Sequence, residues 1–458
     1  MRTLWLILAL IIPLSTTAQS PVLLRAFNNP SPAADDYFGM AMAALGNDRV
    51  LIGATSDDTT GTNAGIVYLF HTNRTLLTTF TNPNPVNSYY DFQFGCAIAT
   101  LGSDHVLIGS PQSGKVYLFT TNGAVVKVIT LPQGYDSYSF GAVVVPVGND
   151  KVLIGAPNSN FDRDLYIDYG AAYLCTTNGA LLTTFSNPNL EADTFGFSLA
   201  ALGSDRVLIG ANGGYGVAYL FSTNGTLLTT ITNPTPGAGD YFANSVAAVG
   251  TDRILVGAYG DDTLATDAGS VYVFNTNGTL LNTISNPTPA VNDRFGARMA
   301  MLGSDRVLIN ATGDDTAGPD AGSAYVFNLD GTLLATITNP APASGDLFGF
   351  RLAAFGSEGV IIGAPFDDAG ATNAGSVYLF SIPSAPIPPS LSIQQTMTNT
   401  VVVFWPAAAT GFMLQQNTNG LNSANWSNVT SGIQNDGKNK TLVVNPPTGR
   451  HFYRLLKL

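Results

Sequence analysis

The sequence predicts an all-β protein, a seven-bladed β-propeller closed by an N-terminal strand, with a small C-terminal β-sandwich-like domain. Three observations predict it. A block of short apolar runs recurs seven times. The seventh block lacks its last run, and a matching run stands before the first block. The 458 residues also carry 48 glycines and 26 prolines with only 11% charge, which suits many short strands joined by tight turns.

From the N-terminus, residues 1–18 read as a signal peptide. Arg2 supplies a positive start, Leu4 to Leu14 an apolar stretch too short to span a bilayer, and Ser15 to Ala18 small residues for cleavage. No later segment is long and apolar enough for a membrane span. The expected location is therefore secreted or cell surface.

Residues 19–380 hold the repeats. A Phe-Gly pair recurs at Phe38, Phe94, Phe140, Phe195, Phe295 and Phe348, with Phe242-Ala243 in the fifth unit. Some twelve residues later comes an apolar run, beginning at Leu51, Leu107, Leu153, Leu208, Leu255, Leu308 and Ile361. Its continuous apolar character fits a strand buried on both faces, as inner blade strands are. A third run reads Val67 to Phe70 and ends the series at Val377 to Phe380. A fourth, such as Leu76-Leu77-Thr78-Thr79-Phe80, mixes Thr with Leu and suits an outer edge half in water. Val22 to Phe27, followed by Asn29-Pro30, matches that fourth run and is expected to complete the seventh blade beside Val377 to Phe380. Two or three of Val22, Leu23, Leu24 and Phe27 are expected to be buried there. A solenoid would need capping repeats, and none is visible.

Asn122-Gly123, Asn178-Gly179, Asn224-Gly225, Asn277-Gly278 and Asp330-Gly331 join the third run to the fourth, and such pairs predict type I′ hairpin turns. Asn224 and Asn277 also lie in glycosylation sequons, which the turn explains without modification. Cys96 and Cys175 occupy unrelated repeat positions and are expected to be small buried hydrophobes, not a disulfide.

The Phe-Gly pairs, the Ile-Gly-Ala-Pro form at Ile154 to Pro157 and Ile362 to Pro365, and the Val-Tyr-Leu-Phe run together resemble the FG-GAP repeat family of integrin α-subunit heads, some lectins and secreted bacterial proteins. The resemblance covers about residues 22–380. It implies a propeller whose ligands bind on the side bearing the loops between second and third strands (2–3 loops) and between successive blades (4–1 loops). Many members of that family carry an Asp-rich calcium loop between the first two strands. Here Leu45 to Arg49 and Leu202 to Arg206 are too short and hold one acid each, so they are expected to be plain hairpin turns, with Asp48 and Arg49 solvated.

Residues 381–390 form a Pro-rich linker. Beyond it, in 391–458, Leu391 to Gln395, Thr400 to Trp405, Phe412 to Gln416, Lys440 to Val444 and Phe452 to Leu456 read as strands. Trp405-Pro406, then Pro446 to Gly449 leading to Tyr453, resemble the fibronectin type III pattern of a core Trp and a tyrosine corner. Similar modules close many exported bacterial proteins.

A net charge of −12 argues against nucleic acid and anionic lipid as partners. The three histidines are scattered, and no nucleophile elbow, zinc motif or phosphate loop is present, so no catalytic residue is expected. The candidate ligand surface is instead an acidic arc on the long 2–3 loops of four contiguous units: Asp57 and Asp58, Asp261 and Asp262, Asp314 and Asp315, Asp367 and Asp368. One reading is a binding site, with calcium the sole cofactor candidate because no Cys or His lies nearby. The simpler reading is that each Asp bonds its own loop's amides. The third unit has a different long loop with Asp162, Arg163, Asp164 and Asp168. Tyr37, Tyr89, Tyr90, Tyr138 and Tyr241 on the 4–1 loops either stack on sugars or pack the loops. The expectation is a monomeric, non-catalytic adhesion or binding protein for an extracellular protein or glycan. The alternative is an extracellular polysaccharide-acting enzyme with its site in the central channel.

Overall fold

In the computed structural model the described residues are 20–84, 94–133, 135, 138–159, 161–162, 167–189, 194–383, 391–396, 400–407, 412–419, 425–445 and 451–457. They fall into two compact units divided between Pro383 and Ser384. The proposed signal peptide, most of the linker, Tyr89, Tyr90, Arg163, Asp164 and Pro446 to Gly449 lie outside the described residues.

The larger unit contains, among the described residues, seven four-stranded antiparallel sheets in chain order. Sheet one is Phe38–Leu45, Arg49–Ala54, Ile66–His71 and Leu76–Thr81. Each sheet repeats this plan, and the innermost strands follow one another around an axis. Phe38–Leu45 packs on Ile98–Leu101, then Val143–Val147, Ser198–Leu202, Phe242–Val249, Phe295–Leu302 and Arg351–Phe355, which returns to Phe38–Leu45. The hydrogen bonding of each sheet is open; the sheets join through side chains and loops.

The pattern of burial explains the repeat. Val50, Leu51 and Ile52 are fully buried because both faces of a second strand meet neighbouring sheets. The Phe of each Phe-Gly pair is buried against the Tyr of the third strand and, except in unit three where Cys175 stands, against its Phe, as Phe94 is at 5.9 Å from Tyr117 and 6.1 Å from Phe119. Edge-on rings of this kind add about 0.5–1.5 kcal/mol beyond their area. The fourth strand of sheet one buries one residue in six, Phe80, and exposes Leu76 and Leu77, whereas that of sheet six, Leu333–Thr338, buries Leu334, Ala335 and Ile337. Fourth-strand Thr is not simply solvated: Thr78, Thr183 and Thr229 each donate to a backbone carbonyl of the next sheet, at Thr121, Thr223 and Thr276.

Val22–Asn28 pairs antiparallel with Ser376–Ser381, Phe27 opposite Val377, and completes sheet seven. Here the burial expectation is corrected. Val22, Leu23 and Leu24 are 49%, 44% and 41% exposed, and of the four named residues Phe27 alone is buried. This strand sits where every other fourth strand sits, with its early residues on the outer rim.

The hairpin expectation is corrected as well. Gly123 has φ +91°, but Asn122 is not in the positive-φ region, as a type I′ turn would require. Gly123 N–H donates to Thr120 and Thr120 N–H to Ala124, with a register shift in the flanking pairs. This is a three-residue loop, a type I turn closed by one left-handed residue, so only the glycine needs positive φ. Arg49, expected only to be solvated, stays partly exposed but also donates to the Ser103 carbonyl of sheet two, as Arg206 does to Thr251 of sheet five.

The smaller unit forms two sheets around one core. Ser392–Gln395, Val401–Pro406, Asn439–Val444 and Ile433–Asn435 make one; Ser427–Asn428, Phe412–Asn417 and Phe452–Lys457 make the other. Val403, Trp405, Leu414 and Tyr453 are buried between them. The strands at 427–428 and 433–435 escape a sequence reading because they are too short to show alternation.

Candidate functional site

The four acidic loops share one geometry. The first Asp of each pair is buried, at 1%, 2%, 2% and 6% exposure for Asp57, Asp261, Asp314 and Asp367. One carboxylate oxygen accepts the N–H two residues on: Thr59, Thr263, Thr316 and Ala369, at 2.7–2.8 Å. The other accepts the hydroxyl of the third-strand tyrosine eleven residues on: Tyr68, Tyr272, Tyr325 and Tyr378. Burial first, with the adjacent carboxylate, pushes those four hydroxyls above the usual tyrosine range. The second Asp of each pair is exposed except for the N–H it accepts five residues on: Asn63, Asp267, Asp320 and Asn373. All eight carboxylates thus bond their own loop or its tyrosine. Among the described residues no three Asp, Glu, His or Cys side chains are grouped to hold a metal. Turn formation is the reading this geometry carries.

Sequence reasoning missed four more acids. Asp36, Asp240, Asp293 and Asp346 on the 4–1 loops are buried and accept the Asn29, Asn233, Asn286 and Asn339 amides at 2.6–2.8 Å. The same oxygen takes the backbone N–H three residues earlier. The Asp36, Asp240 and Asp293 carbonyls accept from Ser56, Gly260 and Gly313 in the following 2–3 loop. On its other side the same segment bonds the preceding sheet's 2–3 loop, for example Phe295 N–H to Ala268. The loop face is therefore stitched from unit to unit. The recurring Asn-Pro followed by Asp seven residues after the Asn was the signal that could have found it.

Burial, with the neighbouring 2–3 loop carboxylates, raises Asp36, Asp240, Asp293 and Asp346 above the ordinary value of 3.8. A group with a raised folded value stabilises the fold fully below 3.8 and loses that stabilisation as pH rises through the folded value. The melting temperature is therefore expected to gain from these four groups as pH falls from neutral through their raised values toward 3.8. Asp293→Asn with Asp346→Asn is expected to flatten that slope in thermal melts across the range. An unchanged slope would contradict the assignment.

The innermost strands enclose an axial cavity of about 390 Å³ lined from all seven sheets. The residue three after each repeat's Phe lies on this wall: Ala41, Ala97, Val143, Ser198, Ser245, Arg298 and Arg351. No Asp, Glu or His is among its described lining residues. A second cavity of about 400 Å³ shares Asn244, Arg298 and Arg351 with it and adds Tyr241, Tyr259, Asp267 and Arg294 from the loop face. Tyr241 and Tyr259 stack at 4.7 Å with planes 5° apart, and Tyr241 stays 42% exposed. Tyr37 by contrast packs on Phe366 at 5.4 Å, while Tyr138 is 59% exposed. Cys96 lines the axial cavity and Cys175 is buried in the core; both are free thiols.

The FG-GAP repeat model matches residues 31–70, 228–274, 284–327 and 332–380. The axial arrangement of four-stranded sheets recurs in solved propellers. The chain is a repeat β-propeller, similar to FG-GAP repeats over those four stretches. The propeller is similar to the WD40 β-propeller domain of Doa1, at TM-score 0.52 and 11% identity over 80% of this chain and 98% of that one. It is also similar to selenomethionine-substituted virginiamycin B lyase from Staphylococcus aureus, at TM-score 0.54 and 12% identity over 78% of this chain and 99% of that one. A catalytically inactive form of that lyase with Quinupristin gives TM-score 0.52 and 13% identity over 78% and 100%. At these identities the likeness is one of fold alone. No curated protein matches the chain in sequence. Among the described residues no helix is long and apolar enough to cross a membrane.

Proposed function

We propose that this chain is an exported, non-catalytic, monomeric binding protein of the integrin-head-like bacterial FG-GAP type, whose seven sheets are seven blades of one ring. Its ligand is an extracellular glycan or protein taken on the loop face. The observation that carries this reading is the stacked Tyr241–Tyr259 pair lining the cavity that adjoins the axial one, with Tyr241 partly open to solvent. A flat, exposed aromatic surface held rigid by a second ring is a low-entropy platform for a sugar or an apolar side chain. Binding without turnover is supported by the chemistry around it. Burial pushes the Cys96 and Cys175 thiols up to about 12, so neither is a thiolate nucleophile near neutral pH. The eight arc carboxylates are held by their own turns, as described above. Residues 1–18 would direct export, and 391–458 would serve as a fibronectin type III-like spacer or anchor.

A glycan array probed with the mature chain tests this. Binding is expected, and Tyr241→Ala is expected to weaken it about tenfold or more. Unchanged binding by Tyr241→Ala, or release of products from a polysaccharide over time, would overturn it.

A further inference from the structure

Two arginines break the repeat where nothing in the fold requires them. At the wall position three residues after the Phe, five units carry Ala, Val or Ser, and the neighbouring units six and seven carry Arg298 and Arg351. Among the described residues, neither guanidinium lies within 4 Å of a carboxylate, although acids outnumber bases in the chain by 31 to 19. Arg298 donates to the Ala297 carbonyl at 2.8 Å, and Arg351 to the Phe350 carbonyl at 3.2 Å. Each carries five N–H donors and makes this one hydrogen bond among the described residues, so most of its donors are unengaged by them in the cavity it lines. Aromatic rings back them: Arg351 lies 4.8 Å from the Phe350 ring centre and Arg298 5.9 Å from that of Phe197. Four other polar wall groups are engaged, Ser198 with Ala243, Ser245 with Gly296, Asn244 with Ala297 and Thr194 with Asn212. Burial pulls both guanidiniums down from their ordinary value, and for Arg351 the neighbouring Arg298 charge adds to this. Asp267, in the outer cavity, pairs with neither.

We infer that Arg298 and Arg351 form an anion-binding site in the axial channel, taking a small oxyanion group, carboxylate, sulfate or phosphate, by two charge-assisted forks. Two like charges set side by side in an enclosed cavity repel each other, and an oxyanion between them removes that repulsion while filling the open donors. The forked geometry suits a group with two coplanar oxygens, and the cavity holds one of monosaccharide size. The site stands apart from the loop-face reading, since it needs no contact with Tyr241.

Thermal melts and titration calorimetry of the full chain with sodium glucuronate, sodium sulfate and sodium phosphate, against sodium chloride at equal ionic strength, test it. At least one of the three is expected to bind, raising the melting temperature by about 2 °C at ten times its Kd. The anion that binds most tightly identifies the group. Arg351→Gln is expected to weaken that binding at least tenfold and to raise the melting temperature of the anion-free protein, the opposite of what loss of a structural arginine does. Arg298→Lys, which keeps the charge but loses the fork, is expected to retain part of the affinity. Absence of binding by all three anions, or equal binding by an Arg298→Gln, Arg351→Gln double variant that still melts cooperatively, would overturn the site.

Discussion

Deleting residues 19–28 is expected to leave a protein that aggregates or unfolds well below the wild-type melting temperature. Removal exposes the whole hydrogen-bonding edge of Ser376–Ser381, an open strand edge that invites pairing with another chain. It also removes Phe27, which packs at 5.5 Å from Phe70 in a core shared by sheets one and seven. Because Val22, Leu23 and Leu24 stay largely exposed, their loss contributes little, and the apolar part of the effect is concentrated in one ring. Phe27→Ala alone should therefore cost about 3–5 kcal/mol, a large share of a domain's net ~5–15 kcal/mol. Leu23→Ala should cost well under about 1 kcal/mol, as surface substitutions do. Urea denaturation of the two point variants separates them. Equal losses would show that the strand acts through its rim residues and not through Phe27.

Gly375→Ala is expected to destabilise the propeller by more than about 3 kcal/mol, since both strain and overlap apply. Gly375 has φ +86°, and a Cβ there would lie 2.2 Å from the Phe38 carbonyl oxygen, which is backbone and cannot rotate away. The contact joins sheet seven to sheet one, so relief would require the innermost strand of sheet one to move. The same approach recurs between Gly269 and Phe295 and between Gly322 and Phe348, at 2.1 and 2.3 Å. Gly345 is the control: its φ is +83°, yet nothing lies within 4 Å of its would-be Cβ. Gly345→Ala should cost only the left-handed conformation, about 1 kcal/mol. Similar losses for the two variants in chemical denaturation would mean that close packing at the seam is not what demands the glycine.

The sequence by itself determined the strand plan, because each strand type leaves a local pattern: continuous apolar for strands buried on two faces, Thr mixed with Leu at the rim. It placed Val22 to Phe27 beside Val377 to Phe380, since a missing fourth run and a surplus one leave a single pairing. It could not decide the turn type, as Asn-Gly serves both two- and three-residue hairpins and the difference lies in the register. It singled out the Asp pairs but not their partners, because Asp57 meets the Tyr68 hydroxyl only when the 2–3 loop folds back over its own sheet. Asp36 and its equivalents went unnoticed for a similar reason: their amide partners are seven residues earlier, and their buried setting comes from the next unit's loop. Arg298 and Arg351 stand 53 positions apart in an apolar run, with no local mark of function. Only the tertiary structure brings them together, because the same position of every innermost strand lines one cavity, and there two cations with no carboxylate beside them among the described residues carry the proposed site.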